Sequence, residues 1–191
     1  LCALVLLFPN IDGRCVVMPF FWAPREGAEA RQEIDHIPYM DWYHDGLLDL
    51  TAGNATDYDV IREKIKELNN VIRIAEIAFD PWNAQQIATQ LTDDGITMVE
   101  IRQNFANLSA AMKELESLVQ TKALDHGGNQ IMRWMASNVS ATMDKVGNIK
   151  PGKERYIDKI DGIVALIMAI SRWAVNQDTT SVYEEREILT L

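Results

Sequence analysis

Two aspartates carry the chemistry that can be read from this chain. Asp80 ends the apolar run 74–79 and is followed at once by Pro81 and by a helix start that Asn83 can cap, in IAEIAFDPWNA. Asp161 lies eighty-one residues further on, at the head of the most apolar helical stretch, in KIDGIVALIMA. A buried strand that ends in an acid and turns into a helix presents the acid at the carboxyl edge of an open α/β sheet, where ligand and metal sites collect. A helix that opens on an acid and packs on the same sheet brings a second carboxylate there. Two such carboxylates suit hard divalent cations, which prefer oxygen ligands. A pair of these ions can activate water and stabilise the leaving oxygen in phosphodiester hydrolysis. Each acid also has an ordinary reading: Asp before Pro starts turns, and Asp is a favoured helix N-cap. Their joint position is what points to a site.

The elements that must hold these acids follow from pattern. The apolar runs 1–8 and 15–22, with the turn composition Pro9–Gly13 between them, predict an antiparallel hairpin covered on both faces. Residues 23–46 read as a long connection with a short helix at 28–34 and an aromatic cluster of Tyr39, Trp42 and Tyr43. Residues 47–51 suggest a short strand. Thr56 or Asp57 caps a helix over 58–68, with Ile61, Ile65 and Leu68 on one stripe and Lys64, Lys66 and Glu67 on its solvated face. Strand 74–79, helix to about Leu91 and strand 97–101 make a βαβ unit, hence parallel strands with a right-handed crossover. A helix over 109–122 with Met112, Leu115, Leu118 and Val119 inward, a turn at His126–Asn129, a helix over 131–139, a hairpin or extended loop over 140–153 and a helix over 160–174 complete the domain. The polar stretch 175–191 reads as a C-terminal tail.

Composition bounds the function. The chain has 191 residues, 48% of them hydrophobic and 24% charged, ordinary for one globular domain. A net charge of −10 argues against a strong non-specific DNA binder acting through a basic face. Two cysteines, Cys2 and Cys15, are too few for a disulfide framework and read as core thiols. The opening LCALVLLFP is too short to span a membrane and lacks the basic flank of a signal peptide. It reads as a strand entered in mid-protein, so the chain is expected to be part of a longer polypeptide. Arg102 and Gln103 follow the second βαβ strand and could line the same edge as Asp80. His126 reads as structural or exposed rather than a ligand, and Trp82 and Trp134 as core anchors.

Several ordered segments resemble the nuclease domain of tailed-phage terminase large subunits: FFWAP at 20–24, GLLDLTAGNATDYDVI at 46–61, EIAFDPWNA, MVEIRQNFANLSAAMKELESLV, HGGNQIMRWMASNV, NIKPGK and KIDGIVALIMA. The resemblance covers residues 1–174. It implies an α/β, RNase H-like fold: a mixed sheet flanked by helices, with acids coordinating two Mg2+ or Mn2+ ions. It implies a metal-dependent endonuclease that cuts concatemeric double-stranded DNA while an ATPase domain drives packaging. By position Asp80 matches the acid ending the fourth strand, and Asp161 the acid opening the last helix. Asp158, three residues earlier, is a candidate auxiliary ligand or a solvated acid. Lys150 and Lys153 match basic positions near the family's site and, with Arg102, are candidate DNA contacts.

Three departures accompany the resemblance. The family's further acid lies on a first, central strand just before the position of Leu1, and these 191 residues do not contain it; the sheet is expected to lack that strand. No GxxxxGK[ST] motif occurs, so the ATPase domain is expected elsewhere. Gln130 stands where the family usually has Pro. The implied partners are double-stranded DNA, the terminase ATPase domain, the small terminase subunit and the portal, with no membrane. The implied setting is the host bacterial cytoplasm. Two other readings compete: a catalytically incomplete packaging or interaction module, and another RNase H-like nuclease of resolvase or integrase type.

Overall fold

In a computed structural model, the structure describes residues 1–82, 84–155 and 157–184, the stretch 178–184 through its backbone alone. Strands β1 (Cys2–Ile11) and β2 (Arg14–Pro24) form the expected antiparallel hairpin. Its turn is tighter than the composition suggests. β1 runs on through Pro9 to Ile11, and the reversal is Asp12–Gly13, both at positive φ (50° and 74°), as two-residue hairpin turns require. The register shift between Phe8 and Ile11 accompanies a positive φ at Asn10, a local bulge.

After β2 come α1 (Arg25–Asp35), α2 (Tyr39–His44) and β3 (Asp49–Thr51). β3 pairs in parallel with the end of β2, at Trp22–Pro24. A strand too short to show a pattern, β6 (Leu124–Asp125), pairs in parallel with the start of β2. Helix α3 (Tyr58–Val71) is capped by Asp57, whose side chain accepts the Asp59 N–H, and it buries Ile61 and Ile65. Lys64 and Lys66 pair with Glu67 and Glu63 on its outer face, as a solvated face should. The βαβ unit is β4 (Ile77–Phe79), α4 (Gln85–Asp93) and β5 (Met98–Glu100), with β4 and β5 parallel as the spacing predicts. The Asn83 cap lies outside the described residues.

Helix α5 (Phe105–Gln120) begins four residues before the expected 109, because Asn104 caps it by accepting the Asn107 N–H. Leu118 turns inward, while Val119 is 57% exposed and does not share that face. Asn129 caps α6 (Gln130–Asn138). The hairpin β7 (Val139–Met143) and β8 (Ile149–Lys153) is pinned to α5 by the Ile149 N–H donating to Ser109 Oγ at 3.1 Å. Helix α7 (Asp161–Glu184) runs past residue 174, and 185–191 lie outside the described residues.

The core centres on α7. Leu166, Ile167 and Ile170 are at most 1% exposed, and Phe21, Leu108, Ile131 and Met135 surround them. Each such side chain contributes about 1.5–3 kcal/mol by leaving water. A smaller cluster of Trp22, Ile61, Ile65, Ile87, Leu91 and Ile96 packs α3 and α4 on the other side. Cys15 is buried and Cys2 half-buried.

One feature interrupts the sheet. β1 pairs only with β2 among the described strands, and β4 only with β5. Their free edges line a groove of about 380 Å³ formed by residues 3–9 of β1, residues 72–78 leading through β4, and Ala165, Ala169, Arg172 and Trp173 of α7.

Candidate functional site

Asp80 follows β4 and is half-buried. β5 holds the strand end, since the Ile101 N–H donates to the Phe79 carbonyl at 2.8 Å. Asp80 Oδ1 accepts the Trp82 N–H at 2.9 Å, so one carboxylate oxygen closes the turn. Trp82 is 83% exposed. The turn carries the indole away from the core, which corrects its reading as a core anchor. Trp134 does pack on the core edge, 5.2 Å from Trp42.

Asp161 is the first residue of α7. The backbone there is pressed into the core: the Gly162 N–H points at Met135 Sδ (3.1 Å), and a side chain at Gly162 would meet Phe21 and Met132. Glycine is required for that close approach. Asp161 lies within electrostatic reach of Lys159, Tyr39 and Cys2.

The positions of the two acids can be measured along their elements from one contact. Arg172 donates from Nε and Nη2 to both oxygens of Glu76, at 2.6 and 3.2 Å, and Asn176 adds a third hydrogen bond to the same carboxylate. From this clasp Asp80 is four residues along the strand, ~13 Å away by the strand rise. Asp161 is eleven residues back along α7, ~16 Å by the helix rise. Glu76 was visible in the sequence as an acid within an apolar strand, a position that requires a buried cationic partner. Which cation answers it was not visible.

Asp158 is neither solvated nor on the helix, which starts three residues later. It is 6% exposed, and Arg155 engages both its oxygens: Nη2–Oδ1 is 2.8 Å, Nε–Oδ1 3.1 Å, and the Arg155 N–H reaches Oδ2 at 3.1 Å. The guanidinium holds this carboxyl below the usual carboxylate range. Lys153 Nζ donates to the Asp158 carbonyl at 3.2 Å. Lys150 lies 5.0 Å over the Phe105 ring, and Arg102 pairs with Glu100 at 3.1 Å. These three cations are thus engaged at separate local contacts. Among the described residues no group of three His, Cys, Asp or Glu gathers where it could hold a metal ion. No described helix is long and apolar enough to cross a membrane.

Comparison with known proteins adds family evidence to this geometry. Residues 1–177 match the family model described as terminase large subunit, endonuclease domain. The chain is 33% identical over 182 residues to the terminase large subunit of Enterobacteria phage HK97, covering 94% of this chain and 36% of that protein. It is 37% identical over 175 residues to protein YmfN of Escherichia coli (strain K12), covering 85% of this chain and 38% of that protein. The chain therefore spans little more than a third of the length of these relatives. The crystal structure of the HK97 large terminase superposes with a TM-score of 0.81 at 32% identity, over 89% of this chain and 36% of that one. The large terminase nuclease of thermophilic phage G20c superposes at 0.51 and 16% identity, over 63% and 64% of the two chains, a likeness of fold alone.

Proposed function

The chain belongs to the endonuclease-domain family of terminase large subunits, with their RNase H-like mixed α/β fold, and from that premise we propose that it is the DNA-cutting domain of a viral packaging enzyme. The substrate in this reading is concatemeric double-stranded DNA, cut by metal-dependent phosphodiester hydrolysis in the host bacterial cytoplasm. The ATPase domain, small subunit and portal are its partners in the full machine. The observation that carries the reading is the match over 1–177, joined to a fold that puts acids at the end of β4 and the start of α7.

The carboxylates of Asp80 and Asp161 are of the kind that holds Mg2+ or Mn2+. Bound ions of this type supply Lewis acidity and lower the pKa of water. The chain's own residues do the rest. β5 fixes the strand that bears Asp80, and Gly162 lets the head of α7 sit against the core, so that each carboxylate is pre-positioned. The Glu76–Arg172 clasp sets the register between the strand and the helix. In this reading the groove between the free edges of β1 and β4 receives the family's acid-bearing first strand. A strand there would complete one continuous sheet and add a third carboxylate. Asp158 serves to hold the loop before α7 through Arg155, and Lys150, Lys153 and Arg102 are secondary candidates for DNA contacts.

The test is plasmid cleavage with Mn2+ by a polypeptide extended upstream through that strand. Asp80→Ala and Asp161→Ala should each abolish cutting; cleavage that survives both substitutions would sink the assignment. A second reading, a non-catalytic packaging module, is favoured by the engagement of Asp80 Oδ1 in its own turn. Calorimetric titration separates the two: no Mn2+ binding at millimolar concentration supports the module.

A further inference from the structure

The chain has five tryptophans, and four of them belong to the core. Trp22 and Trp42 are 1% and 4% exposed, and Trp134 and Trp173 pack against the larger cluster. Trp82 is 83% exposed and joins neither cluster. Among the described residues it has no aromatic ring beside it either. A single exposed apolar side chain is ordinary on a protein surface, so exposure alone assigns nothing. Its position does. Trp82 stands two residues after Asp80, so their Cα atoms are at most ~7.6 Å apart. The Trp82 N–H donates to Asp80 Oδ1 at 2.9 Å, and Pro81, whose ring fixes φ, joins the two. One short, closed turn thus holds the carboxylate and the root of the indole together.

An exposed cation shares this edge. β4 and β5 run parallel with Phe79 opposite Glu100. Asp80 follows the first strand by one residue and Arg102 the second by two, so both lie at the carboxyl end of the same pair. The Arg102 side chain is 77% exposed, and its 3.1 Å ion pair with Glu100 is a surface pair. Such pairs contribute little to stability, so the guanidinium can exchange its partner for a phosphate. An aromatic face for bases beside a cation for the backbone is the combination that holds unstacked nucleic acid. A nucleotide carries both counterparts, a π-face and an anion, on one unit.

We propose that Trp82 inserts its indole at the base step next to the bond being cut and stacks on one base of that step, while Arg102 takes a neighbouring phosphate. The proposal rests on the nuclease reading: a phosphate reacting at Asp80 brings its own nucleotide up to the exposed indole. An apolar wedge between bases has to unstack them. Pyrimidine–purine steps open easily and A-tracts are stiff. Trp82 is therefore a specificity-determining residue that makes the choice of cutting site depend on how readily a step opens. Base edges are not read, since every base offers a π-face.

The experiment uses the polypeptide extended through the upstream strand, with Mn2+, on short duplexes that differ at one central step: a TA step, an A-tract step or a mismatch. The parent should cut fastest at the mismatch and slowest at the A-tract. Loss of one base stack should slow Trp82→Ala at the TA step by about five- to 150-fold, and its rates at the three steps should converge. Trp82→Phe keeps a π-face and should keep the order. The backbone N–H that Asp80 accepts survives both substitutions, so the turn of the acid is untouched. A purely structural role would lower all three rates by one common factor. Binding is read separately, by tryptophan emission before Mn2+ is added. Where anisotropy of a labelled duplex shows the complex, emission should fall in the parent and much less in Trp82→Phe. Arg102→Gln should weaken binding several-fold and leave the order of the steps as it is. A Trp82→Ala protein that cuts at the parent rate or keeps the parent order, or a complex with the emission of the free protein, would overturn the wedge. If Asp80→Ala is inactive in the same assay, such a result leaves the nuclease reading intact. No cutting by the parent would overturn both.

Discussion

Replacing Gly162 with alanine adds one methyl group at the point where α7 enters the core. An ideal Cβ there lies 2.8 Å from Met132 Sδ, 2.9 Å from Phe21 Cε1 and 3.1 Å from Met135 Sδ. Comfortable carbon contacts lie at ~3.5–4.0 Å, so the neighbours must withdraw by at least about 0.4–0.7 Å. The methionine ends are adaptable, but Met132 and Met135 are at most 3% exposed and have little space to move into. Phe21, 1% exposed, moves only with β2. Overpacking of this kind costs ~1–3 kcal/mol. The better helix propensity of alanine returns at most ~1 kcal/mol, and less in a first turn. The net expectation is a loss of ~1–2 kcal/mol, a fall in Tm of about 2–8 °C for a chain of this size. Urea unfolding followed by circular dichroism should give a lower midpoint with an unchanged slope. In a Met132→Ala background the same substitution should cost less, because one of the three clashes is gone. A Gly162→Ala protein as stable as its parent would refute the close approach.

Asp94→Asn should destabilise in a pH-dependent way. Arg62 grips Asp94 at 2.6 and 2.7 Å and holds its carboxyl below the ordinary range. A depressed folded value contributes stability that is full above the unfolded carboxyl pKa, ~3.9, and is lost as pH falls through the folded value. The Tm gap to the parent should thus be complete at pH 7 and narrow below about pH 4; a constant gap would contradict the pairing. Asp158→Asn should show the same pH signature, through Arg155. Asn104→Ala and Asn129→Ala each remove an N-cap and should cost ~1 kcal/mol in chemical denaturation, adding nearly independently in the double variant. Cys15, buried and with its thiol pushed up by burial, should alkylate with iodoacetamide only beyond the unfolding midpoint.

Which parts of this architecture could be read in advance depended on the range of the interaction. The hairpin of β1 and β2 and the parallel pair β4–β5 are bounded by local turn chemistry and periodicity and were legible, while the hairpin of β7 and β8 was legible only as a hairpin or an extended loop. β6 was not, because two residues carry no period; Leu124 and Asp125 become a strand only by meeting Cys15 and Val16. The start of α5 was missed because the cap is Asn104, outside the apolar stripe that marked the helix. Asp80 and Asp161 were singled out by sitting at the ends of apolar runs. The burial of Asp158 depends on Arg155 folding back three residues, and the fate of Trp82 on the direction of one turn.

Among the described residues no backbone ladder crosses the groove between β1 and β4, so within these 191 residues the β4–β5 pair meets the larger sheet through side-chain packing and α7. Cooperativity across that boundary has to travel through packing rather than through a shared hydrogen-bond network. In native-state hydrogen exchange the amides of β4 and β5 should therefore open as a unit of their own, at a lower free energy than those of β1 and β2. During synthesis α7 is the last of these elements to be made, so the two sheets wait for it before they can lock. Bare strand edges left waiting recruit other chains, so the 191-residue chain by itself is most open to association in the interval before α7 docks.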